Sequence, residues 1–156
     1  MQGERRQMRL VRTGDRLSAH LCIAGTAEAV TLGLQHLFAL PVLADLGEDC
    51  RGSVEIVLAE VLNNIAEHAY SAYPGDIDLW ITAQDTYLFV RVLDKGLAMP
   101  GGEAPAGELG QVLEIEDLPE GGFGWFLIRS LTQELTYQRE GDQNTLSFCM
   151  DVDYRR

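Results

Sequence analysis

The longest regular pattern of hydrophobic and polar positions runs from Gly52 to Tyr70, GSVEIVLAEVLNNIAEHAY. Its apolar residues recur at intervals of three and four, which predicts an amphipathic helix with one buried face. Glu60, Asn64 and His68 are spaced four residues apart, so they form a row beside the apolar face. An ordinary core helix would explain this row, with Glu60 and Asn64 at its solvated border and His68 as a hydrogen-bonded core histidine. A row of polar groups that faces a pocket would explain it equally well.

Other stretches of the chain predict five strands and two more helices. Alternating or β-branched residues predict strands at 16–24, 77–83, 86–93, 134–139 and 144–152, and helical periodicity is found at 27–40 and 122–133. Pro41 should end or kink the first helix, and the long helix should begin between Gly47 and Ser53. Short connections near Asp85 and Gly141 predict two antiparallel hairpins. The order of these elements predicts an α+β fold, a two-layer sandwich with helices on one face of a mostly antiparallel sheet.

The loop between the hairpins, residues 95–121, is rich in glycine and proline. Only its stretch LGQVLEIEDL has any apolar periodicity, and in a compact domain a loop of this length is usually functional or disordered. After Lys95 the loop contains no basic residue. Its acidic residues are Glu103, Glu108, Glu114, Glu116, Asp117 and Glu120.

Length and charge narrow the class of protein. The 156 residues and 46% hydrophobic content suit a single domain, which we place at residues 17–154. Five of the twelve basic residues lie in a basic N-terminal arm, residues 1–16, whereas residues 17–154 contain five bases and 22 acids. This distribution, with a net charge of −12, argues against nucleic acid as a direct partner. We expect the arm to be a solvated tail or to fold onto an acidic partner or a neighbouring subunit.

The cysteines and the apolar runs bear on where the protein works. Cys22, Cys50 and Cys149 are odd in number and far apart, which indicates neither a disulfide framework nor a zinc site. No apolar run approaches the roughly 20 residues that cross a bilayer, and no signal-peptide hydrophobic region follows the charged N-terminus. We therefore expect a soluble, cytoplasmic protein without a membrane partner.

Two further segments could form a pocket together with the polar row of the long helix. Asp94, at the end of a strand, can accept a hydrogen bond from an exocyclic amine such as that of adenine, and Gly96 leaves room for a ring. Gly121 to Gly124 open a helix, where backbone N–H groups can approach a phosphate. Taken singly, Asp94-Lys95-Gly96 is also a good turn, and the glycines are also a simple start to a helix. In the polar row, an Asn amide oxygen suits Mg²⁺ and a Glu can accept a proton.

These motifs resemble those of a known family. Glu60-x-x-x-Asn64-x-x-x-His68, Asp94-x-Gly96 and Gly122-x-Gly124 are similar to the N, G1 and G2 boxes of the histidine-kinase-like ATPases, which have the Bergerat fold. Over residues 17–150 the chain resembles most the anti-sigma factor serine-protein kinases of bacterial partner-switching systems. The resemblance implies that Asn64 binds the magnesium of Mg-ATP and that Glu60 is the general base. It also implies that Asp94, with Gly96, holds adenine, that the backbone of Gly122, Phe123 and Gly124 receives phosphate, and that residues 95–121 form an ATP lid.

The resemblance also implies partners. They are a STAS-domain anti-anti-sigma protein, which is phosphorylated on serine, a sequestered sigma factor, and a second copy of the chain in a homodimer. Two departures favour an alternative, a non-catalytic module that regulates a partner by sequestration. Ala98 stands where the family's second G1 glycine belongs, and the lid lacks the basic residue that often meets the γ-phosphate. The six carboxylates of the lid would repel a triphosphate unless they point outward or magnesium and Lys95 compensate for their charge.

Overall fold

A computed structural model describes residues 7–106 and 122–154 of the chain. The strands in these ranges form one sheet of six, in the order β1-β2-β3-β4-β6-β5, and each neighbouring pair is antiparallel. Their bounds are β1 Gln7–Thr13, β2 Arg16–Ala24, β3 Asp76–Gln84, β4 Tyr87–Asp94, β5 Gln133–Glu140 and β6 Gln143–Asp151. The predicted hairpins are β3 with β4 and β5 with β6, so both predictions are confirmed.

Four α-helices complete the fold in the described ranges. They are α1 Ala27–Phe38, α2 Pro41–Ala44, α3 Glu48–Asn64 and α4 Gly122–Leu131. Thr26 caps α1 by accepting a hydrogen bond from Ala29 N at 3.2 Å. Pro41 does end the first helix, but it also begins α2, because proline has no N–H to satisfy at the first helical position. The chain after α3 makes a π-helical turn over Ile65–Ala69, in which Tyr70 N donates to Ile65 O.

The core lies between the helices and one face of the sheet. Alternate residues of β3, namely Ile77, Leu79 and Ile81, are fully buried. Against this face lies the apolar side of α3, whose buried residues are Val54, Val57, Leu58, Val61 and Leu62. This arrangement confirms the two-layer α+β sandwich, because one side of the sheet carries the helices and the core.

Strand β1 lies in the N-terminal arm, and for residues 7–13 the expectation of a solvated tail is wrong. Gln7–Thr13 pairs with β2 along its whole length, and Gly14 makes the turn at a φ of 59°. The side chains of Met8, Leu10 and Val11 remain exposed. Because backbone hydrogen bonds rather than burial hold this edge strand, the hydrophobic pattern gave no signal for it. None of the helices in the ranges 7–106 and 122–154 is both long and apolar enough to span a membrane.

Candidate functional site

A cavity of about 490 Å³ opens between the end of α3, the end of β4, the start of β6 and the start of α4. Most of its wall is apolar, including Val61, Ile65, Leu97, Met99, Trp125 and Leu146. Its polar lining consists of Asn64, His68, Asp94, Tyr137 and Asn144. An apolar cleft with a few polar groups is the usual form of a small-molecule site. We refer below to its Asp94 end and its Asn64 end.

Asp94 is a buried carboxyl group at the last position of β4, with 6% of its surface exposed. Its Oδ1 accepts hydrogen bonds from Gly96 N at 2.9 Å and from Asn144 Nδ2 at 2.8 Å. Burial raises the pKa of Asp94, while the bonds from Asn144 and Gly96 and the charge of Arg139 oppose that rise. Its Oδ2 accepts no hydrogen bond from the described part of the chain, which leaves it for a ligand.

Gly96 is needed for a close backbone approach behind Asp94. A Cβ at this position would lie 2.4 Å from Ala69 O and 2.6 Å from Ala69 C. The next residue, Leu97, donates its N–H to the same carbonyl at 2.7 Å. The contact therefore fixes the Asp94 turn against the π-helical turn after α3, and any side chain at Gly96 would separate the two.

Tyr70 holds the other side of the same turn, and the sequence motifs did not single it out. Its hydroxyl accepts a hydrogen bond from Lys95 N at 2.9 Å and donates one to Asp76 O. Its ring fills the space that a side chain on Gly25 or Gly75 would need. A Cβ on Gly25 would lie 2.4 Å from Tyr70 Cδ2, and a Cβ on Gly75 would lie 2.2 Å from Tyr70 Cε1. The two glycines thus make room for the ring, and the ring places its hydroxyl beside Lys95.

Asn144 and Tyr137 are the other residues that the motifs missed. Asn144 lies on β6 directly opposite Asp94 and is only 3% exposed. Its Oδ1 accepts from the Tyr137 hydroxyl and from Arg139 Nη1, and the Tyr137 hydroxyl accepts from Met99 N. The detectable signal was a polar residue at the inward position of an otherwise apolar strand, where Leu146 and Phe148 follow.

At the Asn64 end, three residues predicted for the site come together. Gly124 lies against the polar row of α3, since a Cβ there would meet Glu60 Oε2 at 2.5 Å and Asn64 Nδ2 at 4.0 Å. Asn64 lines the cavity, and its Nδ2 is buried without a hydrogen-bond partner among the residues described. Because an amide can present either of its two ends in the same volume, this group can offer an oxygen or an N–H to a ligand.

The remaining motif residues lie nearby but in different settings. Gly122 is the first residue of α4, and Phe123 is exposed, with its ring 6.1 Å from that of Phe126. His68 is exposed at the cavity rather than a core histidine. The π-helical turn after Asn64 holds more residues per turn than an α-helix, so the row of side chains does not continue straight to His68.

The segment after Asp94 tolerates its departure from the family pattern. Ala98 lines the cavity and is not among the residues with positive φ, so this position does not require glycine. The left-handed conformations occur three and four residues later, at Gly101 and Gly102. Among the predicted lid acids, Glu103 is exposed, and the other five lie outside the described residues.

Two arginines near the cavity donate hydrogen bonds to backbone carbonyl oxygens. Arg129 of α4 donates to Pro105 O at 2.7 Å and to Ala104 O at 3.1 Å, and Arg139 of β5 donates to Gly96 O at 2.6 Å. Lys95 is exposed. Residues 7–106 and 122–154 contain no group of three or more His, Cys, Asp or Glu that could hold a metal. A magnesium ion at Asn64 would therefore take its other ligands from phosphates and water, as it commonly does.

Comparison with known proteins agrees with the predicted family. A sequence profile of the histidine kinase-like ATPase domain matches residues 23–150. Proteins named serine-protein kinase RsbW, from Bacillus cereus (strain AH820) and Bacillus anthracis (strain A0248), are each 25% identical over 95 residues. The match covers 60% of this chain and 59% of each of these relatives, which is less than two thirds of their length.

Proposed function

The chain belongs to the histidine kinase-like ATPase family, and from this premise we propose that it is an ATP-dependent serine-protein kinase that regulates a sigma factor. One observation carries the proposal. The cavity offers a free carboxylate oxygen of the buried residue Asp94 at one end and a buried amide nitrogen without a partner in the described chain at the other. An adenine amine and a magnesium-bound phosphate chain would complement these two ends.

The proposed roles of the residues at the Asp94 end follow from hydrogen-bond chemistry. Asp94 Oδ2 accepts a hydrogen bond from the adenine amino group, and the apolar wall contacts the faces of the ring. Gly96 holds the Asp94 turn in place through its contact with Ala69. A ring bound there displaces water from apolar surface, at about 25 cal/mol per Å² buried.

At the Asn64 end the residues position phosphate. Asn64 would hold Mg²⁺, which supplies neutralisation of the phosphate charge when bound. The backbone N–H groups of Gly122, Phe123 and Gly124 lie in the first turn of α4, where the helix dipole favours an anion. The absence of a side chain at Gly124 lets this turn approach Glu60 and Asn64.

Glu60 is the proposed general base for transfer to a serine. Its carboxylate accepts the proton of the serine hydroxyl while the serine oxygen forms a bond to the γ-phosphorus. The bond from that phosphorus to the β–γ bridging oxygen breaks, and ADP leaves with the electron pair. Positioning and charge neutralisation supply most of the rate enhancement in such reactions.

The proposed partners are a STAS-domain protein and a sigma factor. The relatives are named serine-protein kinases, and the resemblance to anti-sigma factors points to a STAS-domain protein as the phosphorylated partner. The unphosphorylated STAS protein would release a sigma factor that this chain, as a homodimer, sequesters.

The experiment separates binding from transfer. First, ADP and Mg-ATP are titrated against thermal unfolding, because a ligand that binds only the folded state raises the unfolding temperature. Then radiolabelled ATP, magnesium and a STAS-domain protein from the same organism are incubated with the wild type and with Glu60→Gln. We expect label on a serine of the STAS protein, at least about 100-fold slower with Glu60→Gln. No label with a demonstrably bound STAS protein would remove the kinase proposal.

A second function, nucleotide-dependent or nucleotide-free sequestration without catalysis, is favoured by the charges near the cavity. Arg129 and Arg139 are engaged with backbone carbonyls, and the described part of residues 95–121 adds only Lys95 as a cation. Nucleotide-dependent sequestration predicts a thermal shift with nucleotide but no labelling of the STAS protein. Nucleotide-free sequestration predicts neither a shift nor labelling. In both cases the sigma factor still binds.

A further inference from the structure

Asn144 is the most fully bonded polar side chain at the cavity. Its Nδ2 donates to Asp94 Oδ1 at 2.8 Å and to Leu97 O at 2.9 Å. Its Oδ1 accepts from the Tyr137 hydroxyl and from Arg139 Nη1. Gly96 O is a third, more distant acceptor for Nδ2 at 3.4 Å, so the full hydrogen-bonding capacity of this buried amide is used within the protein.

The network fixes which way the Asn144 amide points. Arg139 can only donate, so the atom facing it must be the amide oxygen. The Tyr137 hydroxyl accepts from Met99 N at 3.0 Å, which leaves its own hydrogen for Asn144. The amide nitrogen must then face Asp94, and this orientation follows from the partners rather than from the shape of the group.

The orientation of Asn144 has a consequence for Asp94. Two N–H groups, those of Gly96 and Asn144, occupy Oδ1, and both stabilise the ionised form of the carboxyl group. An ionised Asp94 is an acceptor only, so Oδ2 can pair with a donor on a bound ring but not with a carbonyl. If the support of Asn144 were lost, burial would favour a protonated Asp94, which can donate to a carbonyl.

We propose that Asn144 determines specificity for a 6-aminopurine over a 6-oxopurine by holding Asp94 as a hydrogen-bond acceptor. The inference rests on the proposed nucleotide-binding function and assigns Asn144 a positioning role, since it acts through Asp94. Tyr137 and Arg139 support it by fixing the amide.

ADP and IDP test the inference, because ADP has an amino group at C6 of the purine ring and an unprotonated N1, whereas IDP has a carbonyl at C6 and an N1–H. Isothermal titration gives the Kd of each for the wild type, Asn144→Leu and Thr145→Val. Leu is close in shape to Asn but cannot hydrogen-bond. Thr145 is the matched control, because it is the next residue of β6 and points to the other face of the sheet.

We expect the wild type and Thr145→Val to prefer ADP to IDP by at least about tenfold, since an acceptor facing an acceptor leaves both unsatisfied. In Asn144→Leu the preference should fall at least about fivefold. An equal loss of ADP and IDP affinity in Asn144→Leu would overturn the inference and leave nucleotide binding intact. A wild type that binds ADP and IDP equally would overturn it too.

Failure of the proposed function looks different, because the wild type would then bind neither nucleotide. If Asn144→Leu does not fold, Tyr137→Phe replaces it. This variant removes one of the two donors that fix the amide, so the ADP preference should fall about twofold to threefold. An unchanged preference in a folded Tyr137→Phe protein would then count against the inference.

Discussion

The two ends of the cavity are built in opposite ways. At the Asp94 end, Asp94 Oδ1, the Asn144 amide and the Tyr70 hydroxyl are hydrogen-bonded within the protein, and these bonds fix the position of Oδ2. At the Asn64 end, the amide nitrogen is buried without a partner in the described chain, and a glycine lies against Glu60. The first end is ready before a ligand arrives, whereas the second is completed by one.

This difference matches the two kinds of ligand chemistry. A flat ring has a fixed pattern of donors and acceptors, so a rigid wall recognises it with little entropy to lose on binding. A metal-bound phosphate chain brings its own charges and waters, so the protein needs open donors and acceptors there. Leaving a polar group buried without a partner costs about 1–3 kcal/mol. A folded protein that keeps such a group indicates a use for it.

The largest expected effect comes from a substitution that disrupts the Asp94 end of the cavity. Gly96→Ala would place a Cβ 2.4 Å from Ala69 O, and backbone on both sides leaves little freedom to move. We expect a loss of about 2–4 kcal/mol in the free energy of unfolding, together with loss of ADP binding. Urea unfolding followed by circular dichroism measures the first, and titration calorimetry the second.

Gly52→Ala is the control for that substitution. It adds the same methyl group in α3, where nothing lies within 4 Å, and it should stabilise the protein by about 0.5–1 kcal/mol. Equal effects of the two substitutions would show that the Gly96 contact is not a tight one.

The second test removes the amide of Asn64, whose Nδ2 has no hydrogen-bond partner in the described chain. Because Asn64 Nδ2 has no partner to lose among the described residues, Asn64→Ala should change the free energy of unfolding by less than about 1 kcal/mol. Binding of Mg-ADP should weaken at least about tenfold, which corresponds to about 1.4 kcal/mol. Asn63→Ala, one residue earlier and not in the cavity wall, should leave binding unchanged. A large loss of stability in Asn64→Ala would mean that the amide serves the fold.

The third test uses the charge of Asp94. Its pKa is raised in the folded state, so the folded protein keeps the proton to a higher pH than the unfolded chain does. The stability contributed by this group is therefore complete below the ordinary aspartate pKa of about 3.9 and is lost as pH rises through the raised value. Asp94→Asn keeps an oxygen for Gly96 N and Asn144 Nδ2 but carries no charge.

Urea unfolding of both proteins from pH 4 to pH 7 checks the sign. The free energy of unfolding of Asp94→Asn relative to that of the wild type should increase with pH over this range. ADP binding should be lost, because the Asn side chain presents an NH2 donor where Asp94 Oδ2 accepts a hydrogen bond. If the wild type instead gained stability over Asp94→Asn as pH rose, the hydrogen bonds to Asp94 would outweigh its burial.

Much of the fold was predictable from the sequence, because period and turn chemistry are local. The alternation of Ile77, Leu79 and Ile81 and the helical spacing in α3 each predict an element that the structure contains. Strand β1 was missed because an edge strand needs no buried side chains. The turn after Asn64 was also missed, since a π-helical turn has no clear sequence signature.

The candidate site was predictable only in its motif residues. Glu60, Asn64 and Gly124 lie together, and Asn64 and Asp94 line the same cavity, although their roles remain predictions. Asn144 and Tyr70 were not predicted because their partners in the site are far away in sequence. Asn144 bonds to Asp94, 50 residues away, and Tyr70 bonds to Lys95, 25 residues away, so no local periodicity links them. Such pairs are created by the sheet register and by the turn at Lys95.

Gly124→Ala should also have little effect on stability, and it sharpens the contrast between the two ends of the cavity. The new Cβ would meet Glu60 Oε2 at 2.5 Å, but that atom is the far end of a side chain that can rotate away. Alanine also favours the helix over glycine, so the free energy of unfolding should change by less than about 1 kcal/mol. Rotation of Glu60 would nevertheless move the proposed base, so phosphoryl transfer should slow at least about tenfold while ADP affinity stays within about threefold. The same methyl group at Gly96 should lower the free energy of unfolding by about 2–4 kcal/mol, so the two substitutions distinguish a backbone contact that stabilises the fold from a side-chain contact that positions the proposed base. If Gly124→Ala destabilised the protein as much as Gly96→Ala, the Asn64 end would be as rigid as the Asp94 end.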